Sequence, residues 1–159
     1  MYVENVDDVE RACLCVYVWF VGWFSPILLA CYNREKETYE SVCRVMSGFS
    51  DEFYKAKTAL YKDRILDAKP FYFDTGEMCS VWFEPTEVWE IVGADYTLSP
   101  VHAAANALVG SASGRGIGLR FPRFLRERDD KAIDDATEAE TIHELFLAQS
   151  RRVKTVNPS

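Results

Sequence analysis

Alternating apolar and polar positions predict a β-hairpin in the first third of the chain. Residues 27–32 form an apolar run, residues 33–37 are polar, and residue types over 39–46 alternate with a period of two. Such a period sends successive side chains to opposite faces of a strand. We therefore expect two paired strands joined by a short turn, with Gly48 ending the second strand.

Two helices are predicted from capping residues and helical spacing. Ser50 is typical of a helix N-cap, and residues 51–61, which begin with two acids, repeat their apolar positions at helical spacing. Near the end of the chain, Thr137 and Glu140 have the spacing of a capping box and precede apolar residues on one helical face. The sequence therefore predicts an inserted helix over 51–61 and a closing C-terminal helix.

The remaining segments predict short strands. Residues 67–85 include several aromatic residues but lack a clean period, which indicates an extended connection with one short strand. Residues 88–96 are predicted as one strand, and residues 117–121 as another that Pro122 ends or places at a sheet edge. The fold predicted is mainly β with α, a Greek-key barrel of the OB-fold class with an inserted helix and a C-terminal helix. Periodicity alone also fits another α+β domain.

Composition and charge narrow the choice of partners. The chain has 159 residues, 48% of them hydrophobic, which is enough to bury one ordinary core. A net charge of −7 argues against binding nucleic acid through an overall basic surface. In residues 115–131, however, six cations stand against three acids, so this segment marks one face for an anionic partner. The six cations are Arg115, Arg120, Arg123, Arg126, Arg128 and Lys131.

The cysteines, the histidines and one uncharged run argue against a disulfide-bonded, a metal-binding and a membrane-spanning protein. The five cysteines are an odd number, and all but Cys79 lie in apolar or strand-like runs, which is typical of buried, reduced thiols. Residues 12–32 carry no charge and are numerous enough to suggest a membrane span. Gly22 and Pro26 interrupt this run and acidic residues precede it, which favours buried strands instead. His102 and His143 have no cysteine at ligand spacing, so no metal site is expected.

Several runs occur in an order familiar from one enzyme family. Residues 22–32 read GWFSPILLACY, residues 42–51 read VCRVMSGFSD, and residues 116–124 read GIGLRFPRF and lead into RDDK at 128–131. The first two runs resemble the opening strands of the C-terminal OB-fold domain of ATP-dependent DNA ligases of the eukaryotic DNA ligase I type. The last run is similar to nucleotidyltransferase motif VI. The resemblance covers residues 22–154 as one domain, with 1–21 as an unmatched N-terminal extension and 155–159 as a tail.

The resemblance implies chemistry for motif VI. Ligases of this type transfer AMP from ATP to a lysine, then to the 5′-phosphate at a nick, and finally seal the nick, with ATP and Mg²⁺ as cofactors of the full-length enzyme. In the first step motif VI would face the nucleotide. Arg128 and Lys131 would neutralise the leaving pyrophosphate, and Asp130 would orient a cation or the lysine.

The resemblance also implies contacts with nicked duplex DNA. Arg120 and Arg123 would hold phosphates, Arg126 is a further DNA-binding candidate, and Phe121 would be an apolar wedge in the minor groove. Strict strand alternation would instead bury Phe121 with its apolar neighbours in the strand. The sequence leaves both orientations open.

One departure from the family concerns catalysis. The chain contains no Lys-x-Asp-Gly, which the family uses to present its nucleophilic lysine. The chain alone is therefore expected to be inactive and monomeric. It would act together with an adenylation domain in cis or in trans. The expected location is the nucleus, or else a mitochondrion or plastid. Two alternatives remain, namely a non-catalytic stand-alone OB module that binds single-stranded or nicked DNA, and a fragment held at a membrane by residues 12–32.

Overall fold

The computed structural model describes residues 9–16, 19–20, 22–110 and 116–156, with side chains described over 22–110 and 116–149. The strands and helices follow one another along the chain in this order: β1 (Val9–Val16), β2 (Trp19–Phe20), β3 (Trp23–Phe24), β4 (Ile27–Asn33), β5 (Thr38–Val45), α1 (Asp51–Tyr61), β6 (Phe73–Asp74), β7 (Val81–Trp82), β8 (Val88–Val92), β9 (Asp95–Ser99), β10 (Gly116–Arg120), β11 (Arg123–Glu127), a 3₁₀ turn (Ile133–Asp135) and α2 (Ala139–Val156).

The strands form a barrel that one large sheet dominates. Strands β11, β8, β1, β4, β5 and β6 lie side by side in this order, and β7 also pairs with β1. Strands β9 and β10 form a separate antiparallel pair. This pair closes the barrel beside β5, because Ala104 donates its backbone N–H to the Ser41 oxygen (3.0 Å) and accepts one from Ile117 (2.8 Å). The fold is mainly β with two helices, as predicted.

The predicted hairpin and both helices are confirmed. Strands β4 and β5 pair antiparallel from Ile27 opposite Val45 to Asn33 opposite Thr38. Helix α1 covers the predicted residues, and the Ser50 hydroxyl accepts the backbone N–H of Phe53 at 3.1 Å. Helix α2 follows the predicted tail signal. Its Gln149 side chain is bonded to the Tyr96 backbone at both N–H (2.8 Å) and oxygen (2.9 Å), which attaches the helix to β9.

The prediction of one strand over 88–96 is wrong. The strand is interrupted at Gly93 and Ala94. The part before them, β8, pairs with β1 and β11, whereas the part after them, β9, pairs with β10. A Cβ on Gly93 would lie 2.4 Å from Cγ of Leu119. Only a residue without a side chain lets the backbone pass this close to β10. The alternation of residue types along a strand does not indicate such an approach, so the sequence did not predict the interruption.

Two further strand predictions need correction. The segment 67–85 contains two short strands, β6 and β7, where one was expected. Strand β10 ends before Pro122 as predicted, but the chain then turns at Phe121, whose φ is +52°, and continues as β11. Strand β11 was missed because a bulge interrupts its pairing between Phe124 and Arg126, which destroys the alternation of residue types.

The core is formed by residues of the large sheet, of the β9–β10 pair, of β3 and of both helices. Its fully buried members include Trp89, Tyr96, Ile91, Ile117 and Ile142. A smaller cluster of Leu28, Ala30, Phe73 and Trp82 lies on the other side of the large sheet. One charged residue, Glu40, is also fully buried. Its carboxylate accepts hydrogen bonds from Asn33, from Lys36 and from the backbone N–H of Ala105 (2.8, 3.2 and 2.8 Å), and these partners offset its desolvation.

The remaining sequence predictions fall partly outside the described residues. Cys31 and Cys43 are buried, as predicted, and Cys79 is partly buried, whereas the side chains of Cys13 and Cys15 are outside the described set. Strand β1 brings part of the predicted extension, residues 1–21, between β8 and β4 in the large sheet. The proposed domain boundaries stay predictions. In the described part of the chain, neither helix is long and apolar enough to span a membrane.

At Gly48 the chain segment that leads into α1 crosses the backbone of β11, so a side chain at this position should lower stability. A Cβ on Gly48 would lie 2.2 Å from the Phe124 oxygen, and φ is +93°. We expect Gly48→Ala to lower the free energy of unfolding by about 2–5 kcal/mol, from backbone strain and overpacking together. Denaturant unfolding of the chain measures this loss.

Gly22→Ala is the matched control, because Gly22 has nearly the same φ, +95°, with nothing within 4 Å of its Cβ position. It should cost only the backbone term, about 1–2 kcal/mol. Equal losses for the two variants would contradict the close approach of Gly48 to Phe124.

Candidate functional site

The described part of the cationic segment covers β10, β11 and the turn at 128–131 that follows β11. Its arrangement depends on which face of the sheet each side chain of β8 occupies. Trp89 and Ile91 point into the main core, so Val88 and Glu90 point to the opposite face of the sheet. Strand β11 pairs with β8 through Phe124 opposite Ile91. These pairs fix which face of the sheet each following residue of β11 can reach.

The bulge at Leu125 places Arg126 on the Glu90 face. Strict alternation would put Phe124 and Arg126 on the same, core-facing side. One extra residue in β11 shifts the register, so that Arg126 pairs with Glu90. Its Nε donates to Oε2 of Glu90 at 2.6 Å. A strand irregularity therefore decides that Arg126 meets a carboxylate and not the core.

Arg128 approaches the same carboxylate and is held by a second one. Its backbone N–H bonds to the Val88 oxygen (2.8 Å), and its Nη1 lies 3.5 Å from Oε2 of Glu90. Its Nε and Nη2 donate to the two carboxylate oxygens of Asp130 at 2.8 and 2.7 Å. The hydrogen bond from Arg128 lowers the pKa of Asp130 to about 2. Lys131, whose backbone N–H bonds to the Arg128 oxygen at 3.1 Å, follows in the same turn.

A second ionic cluster fixes the opposite side of β11. Lys57 of α1 contacts the carboxylates of both Glu87 and Glu127, and Glu87 also accepts the indole N–H of Trp89 at 2.8 Å. Burial lowers the pKa of Lys57, but hydrogen bonds and charges from Glu127 and Glu87 outweigh it and raise the pKa overall. The strand residue before Arg128 is thus anchored to helix α1.

The turn between β10 and β11 carries the other cations. Arg120 forms a bidentate pair with Asp95 (2.5 and 2.7 Å), which raises its pKa further above the usual value, and its guanidinium lies 5.4 Å from the centroid of the Phe121 ring. Phe121 is 75% exposed. Of the two orientations that the sequence left open, the structure has the exposed one. Arg123, also exposed, opens β11 opposite Val92.

This turn is held in place from outside. The Ser47 hydroxyl donates to the Pro122 oxygen at 3.1 Å, and the Ser47 oxygen accepts the backbone N–H of Phe124 at 2.9 Å. Both bonds join the turn to the segment that leads into α1. The exposed Phe121 ring therefore projects from a tethered turn.

The predicted site residues fall into two groups at opposite ends of β11. Arg123 pairs with Val92 and Arg128 bonds to Val88. Val88 and Val92 are four residues apart on β8, which separates the two groups by ~13 Å at ~3.3 Å per residue. One group contains Arg120, Phe121 and Arg123, and the other contains Arg126, Arg128, Asp130 and Lys131. The sequence had grouped Arg126 with the first. Arg115 lies outside the described residues.

Sequence reasoning missed the acids that hold these cations. Glu90 comes from β8 and Asp95 from β9, both outside the cationic segment. Glu90 was detectable as the one charged residue inside an otherwise apolar strand, since a carboxylate is unfavourable there without a partner. Asp95 and Lys57 carried no comparable signal. No three His, Cys, Asp or Glu side chains converge on a metal site in the described part of the chain.

Comparison with known proteins identifies the family. Residues 21–131 match the family model for the C-terminal region of ATP-dependent DNA ligases. The chain is 50% identical to DNA ligase 6 of Arabidopsis thaliana over 96% of its own length and 11% of the relative. It is 42% identical to DNA ligase 1 of the same plant, over 92% of this chain and 18% of the relative, and 44% identical to a DNA ligase of Hyperthermus butylicus, over 84% and 22%. The chain thus spans less than a quarter of these three relatives.

Solved structures share the fold at low sequence identity. The crystal structure of the ligase domain of M. tuberculosis LigD superimposes with a TM-score of 0.58 at 14% identity, over 83% of this chain and 38% of that one. Mycobacterial DNA ligase D complexed with ATP and MES gives 0.54 at 15% identity, with the same coverage of both chains. The barrel is therefore the OB-fold that the sequence predicted. By the residues matched and by this fold, the chain belongs to the family of C-terminal domains of ATP-dependent DNA ligases.

Proposed function

We propose that this chain is the C-terminal OB module of a ligase that seals nicks in duplex DNA, working with an adenylation domain in cis or in trans. The observation that carries the proposal is the division of the cationic segment into two groups at the two ends of β11. The two groups suit different steps of sealing, because one has cations in a fixed ionic cluster and the other has an exposed ring between arginines. The two relatives from Arabidopsis thaliana are DNA ligases of a eukaryote, which favours the nucleus as the location.

The cluster around Arg128 suits the adenylylation step. ATP supplies the adenylyl group, and the departing pyrophosphate carries negative charge that fixed cations stabilise. We assign this role to Arg128 and Lys131. Asp130 holds Arg128 through two hydrogen bonds and so orients its guanidinium. Polyphosphate oxygens match the donor groups of this cluster, whereas the carboxylates for Mg²⁺ are expected in the adenylation domain.

The turn around Phe121 suits the DNA-binding steps. An exposed aromatic ring on a tethered turn can enter the minor groove as a wedge, and Arg120 and Arg123 beside it can bind the flanking phosphates. Arg120 is paired with Asp95, so its phosphate contact would share or replace that carboxylate. This arrangement gives binding that depends on the shape of the duplex at the nick more than on net charge.

Lys131→Ala tests the pyrophosphate role in a reconstituted ligase, defined as this chain joined to the adenylation domain of a relative. We expect adenylylation of the enzyme to slow by roughly 10²–10³-fold, since one charge-stabilising group is lost from the transition state. Sealing of preadenylylated nicked DNA should change far less. Lys55→Ala, on the exposed side of α1, is the control. If both steps slow equally in Lys131→Ala, the pyrophosphate role is wrong.

Phe121→Ala tests the wedge in the same reconstituted ligase. Loss of the ring, which the minor groove would bury on binding, should weaken binding to nicked duplex by about 1.5–3 kcal/mol, roughly tenfold to a hundredfold in Kd. Phe71→Ala is the matched control, because Phe71 is 96% exposed and lies outside the cationic segment. Tighter binding to single strands than to nicked duplex, with no effect of Phe121→Ala, would instead support a stand-alone single-strand-binding module.

A further inference from the structure

Glu90 is a buried charge at the centre of a strand. Its side chain is 8% exposed, and its neighbours in β8 are Trp89 and Ile91 on the core face. Glutamate is disfavoured in strands, and an unpaired buried carboxylate is costly. Its position is therefore tolerable only with the two arginines that approach its Oε2 atom, Arg126 at 2.6 Å and Arg128 at 3.5 Å.

The two arginines meet Glu90 for different structural reasons. Arg126 reaches it because the bulge at Leu125 turns its side chain out of the core face. Arg128 reaches it because its backbone N–H continues the pairing with β8 at Val88. One carboxylate oxygen thus lies between two guanidinium groups that the bulged strand delivers to the same face.

Glu90 is also the better shielded of the two acids that hold Arg128. The Asp130 side chain is 62% exposed, whereas that of Glu90 is 8% exposed and that of Arg128 is 11% exposed. Exposed ion pairs are screened by solvent and salt, and buried pairs much less. Arg128 is therefore held by two short hydrogen bonds to Asp130 on its exposed side and by the shielded Glu90 carboxylate on its buried side.

We propose that Glu90 is a positioning residue that couples Arg126 to Arg128, so that Arg126 acts with motif VI in adenylylation and not with the DNA-binding turn. The inference rests on the proposed function, because it names a further determinant of the same cluster. The 62% exposed side chain of Arg126 then adds an accessible cation to Arg128 and Lys131, and the shared carboxylate links it to Arg128.

The coupling is first tested in the 159-residue chain alone. In NMR spectra of arginine side chains, the Nε–H of Arg126 should exchange slowly with water because it is bonded to Glu90. Glu90→Gln should speed this exchange by about tenfold or more, since a charge-assisted bond becomes a neutral one. The Nε–H of Arg128, bonded to Asp130, should change less. Unchanged exchange at Arg126 would overturn the coupling, whatever the chain does in catalysis.

The functional test compares the two half-reactions in the reconstituted ligase. Glu90→Gln should slow enzyme adenylylation by roughly tenfold to a hundredfold, the scale expected for a misplaced catalytic group, and leave sealing of preadenylylated nicked DNA within about threefold. A purely structural role would lower both steps in parallel and would overturn the proposal. Glu138→Gln, which alters an arginine pair with Arg34 away from the cluster, is the control that should change neither step.

Two further variants guard against loss of the fold. Arg126→Gln removes an exposed side chain and should reproduce the adenylylation defect, and the double variant with Glu90→Gln should be no slower than the slower single variant, because the two residues act as one unit. Additive losses, or a defect of Arg126→Gln confined to DNA binding, would overturn the proposal.

Lys131→Ala separates failure of this inference from failure of the proposed function. If Lys131→Ala selectively slows adenylylation and Glu90→Gln does not, only the role of Glu90 is wrong. If neither variant is selective for that step, the proposed function of the whole cluster fails with it.

Discussion

The pairing of β8 with β11 is the constraint on which the rest of this structure depends. One face of β8 supplies Trp89 and Ile91 to the core, and the other supplies Glu90 to the arginines. Because the two faces alternate residue by residue, packing and electrostatics cannot be adjusted independently in this strand. A slip of one residue would bury Glu90 in the core and expose Trp89. The core therefore holds the ionic cluster in register.

Close backbone approaches make this pairing possible. At Gly48 the segment entering α1 crosses Phe124 of β11, and at Gly93 the chain turns against Leu119 of β10. The crossing at Gly48 also brings Ser47 to the turn that carries Phe121. Two positions without side chains thus connect the inserted helix, the barrel and the exposed turn. These two glycines therefore help to position the candidate site, although they do not belong to it.

Paired charges reconcile the acidic composition of the chain with the anionic partner that we propose for it. The net charge is −7, yet Arg120, Arg126 and Arg128 each have a carboxylate partner within the described residues. Such pairing weakens the long-range attraction that drives nonspecific binding. It also fixes where each guanidinium points. The surface is consequently suited to a partner of defined shape and charge spacing, and poorly suited to unselective binding of polyanions.

The sequence by itself determined the local structure and the family. The hairpin of β4 and β5, the cap at Ser50 and helix α1 depend on neighbours a few residues away, and period and capping chemistry are enough to predict them. The runs at 22–32 and 116–131 likewise predicted the OB-fold and pointed to the candidate residues. The sequence could not predict the break at Gly93 or the separate strand β11, because both depend on distant chain segments.

Only the tertiary structure decided how the candidate residues are grouped. Residues 120–131 are continuous in sequence, but the turn at Phe121 and the bulge at Leu125 send them to opposite ends of one strand. Their partners Glu90 and Asp95 come from other strands. Local patterns describe where a side chain lies along its own strand. Which carboxylate it meets depends on register between strands, and that is set by the packing of the whole barrel.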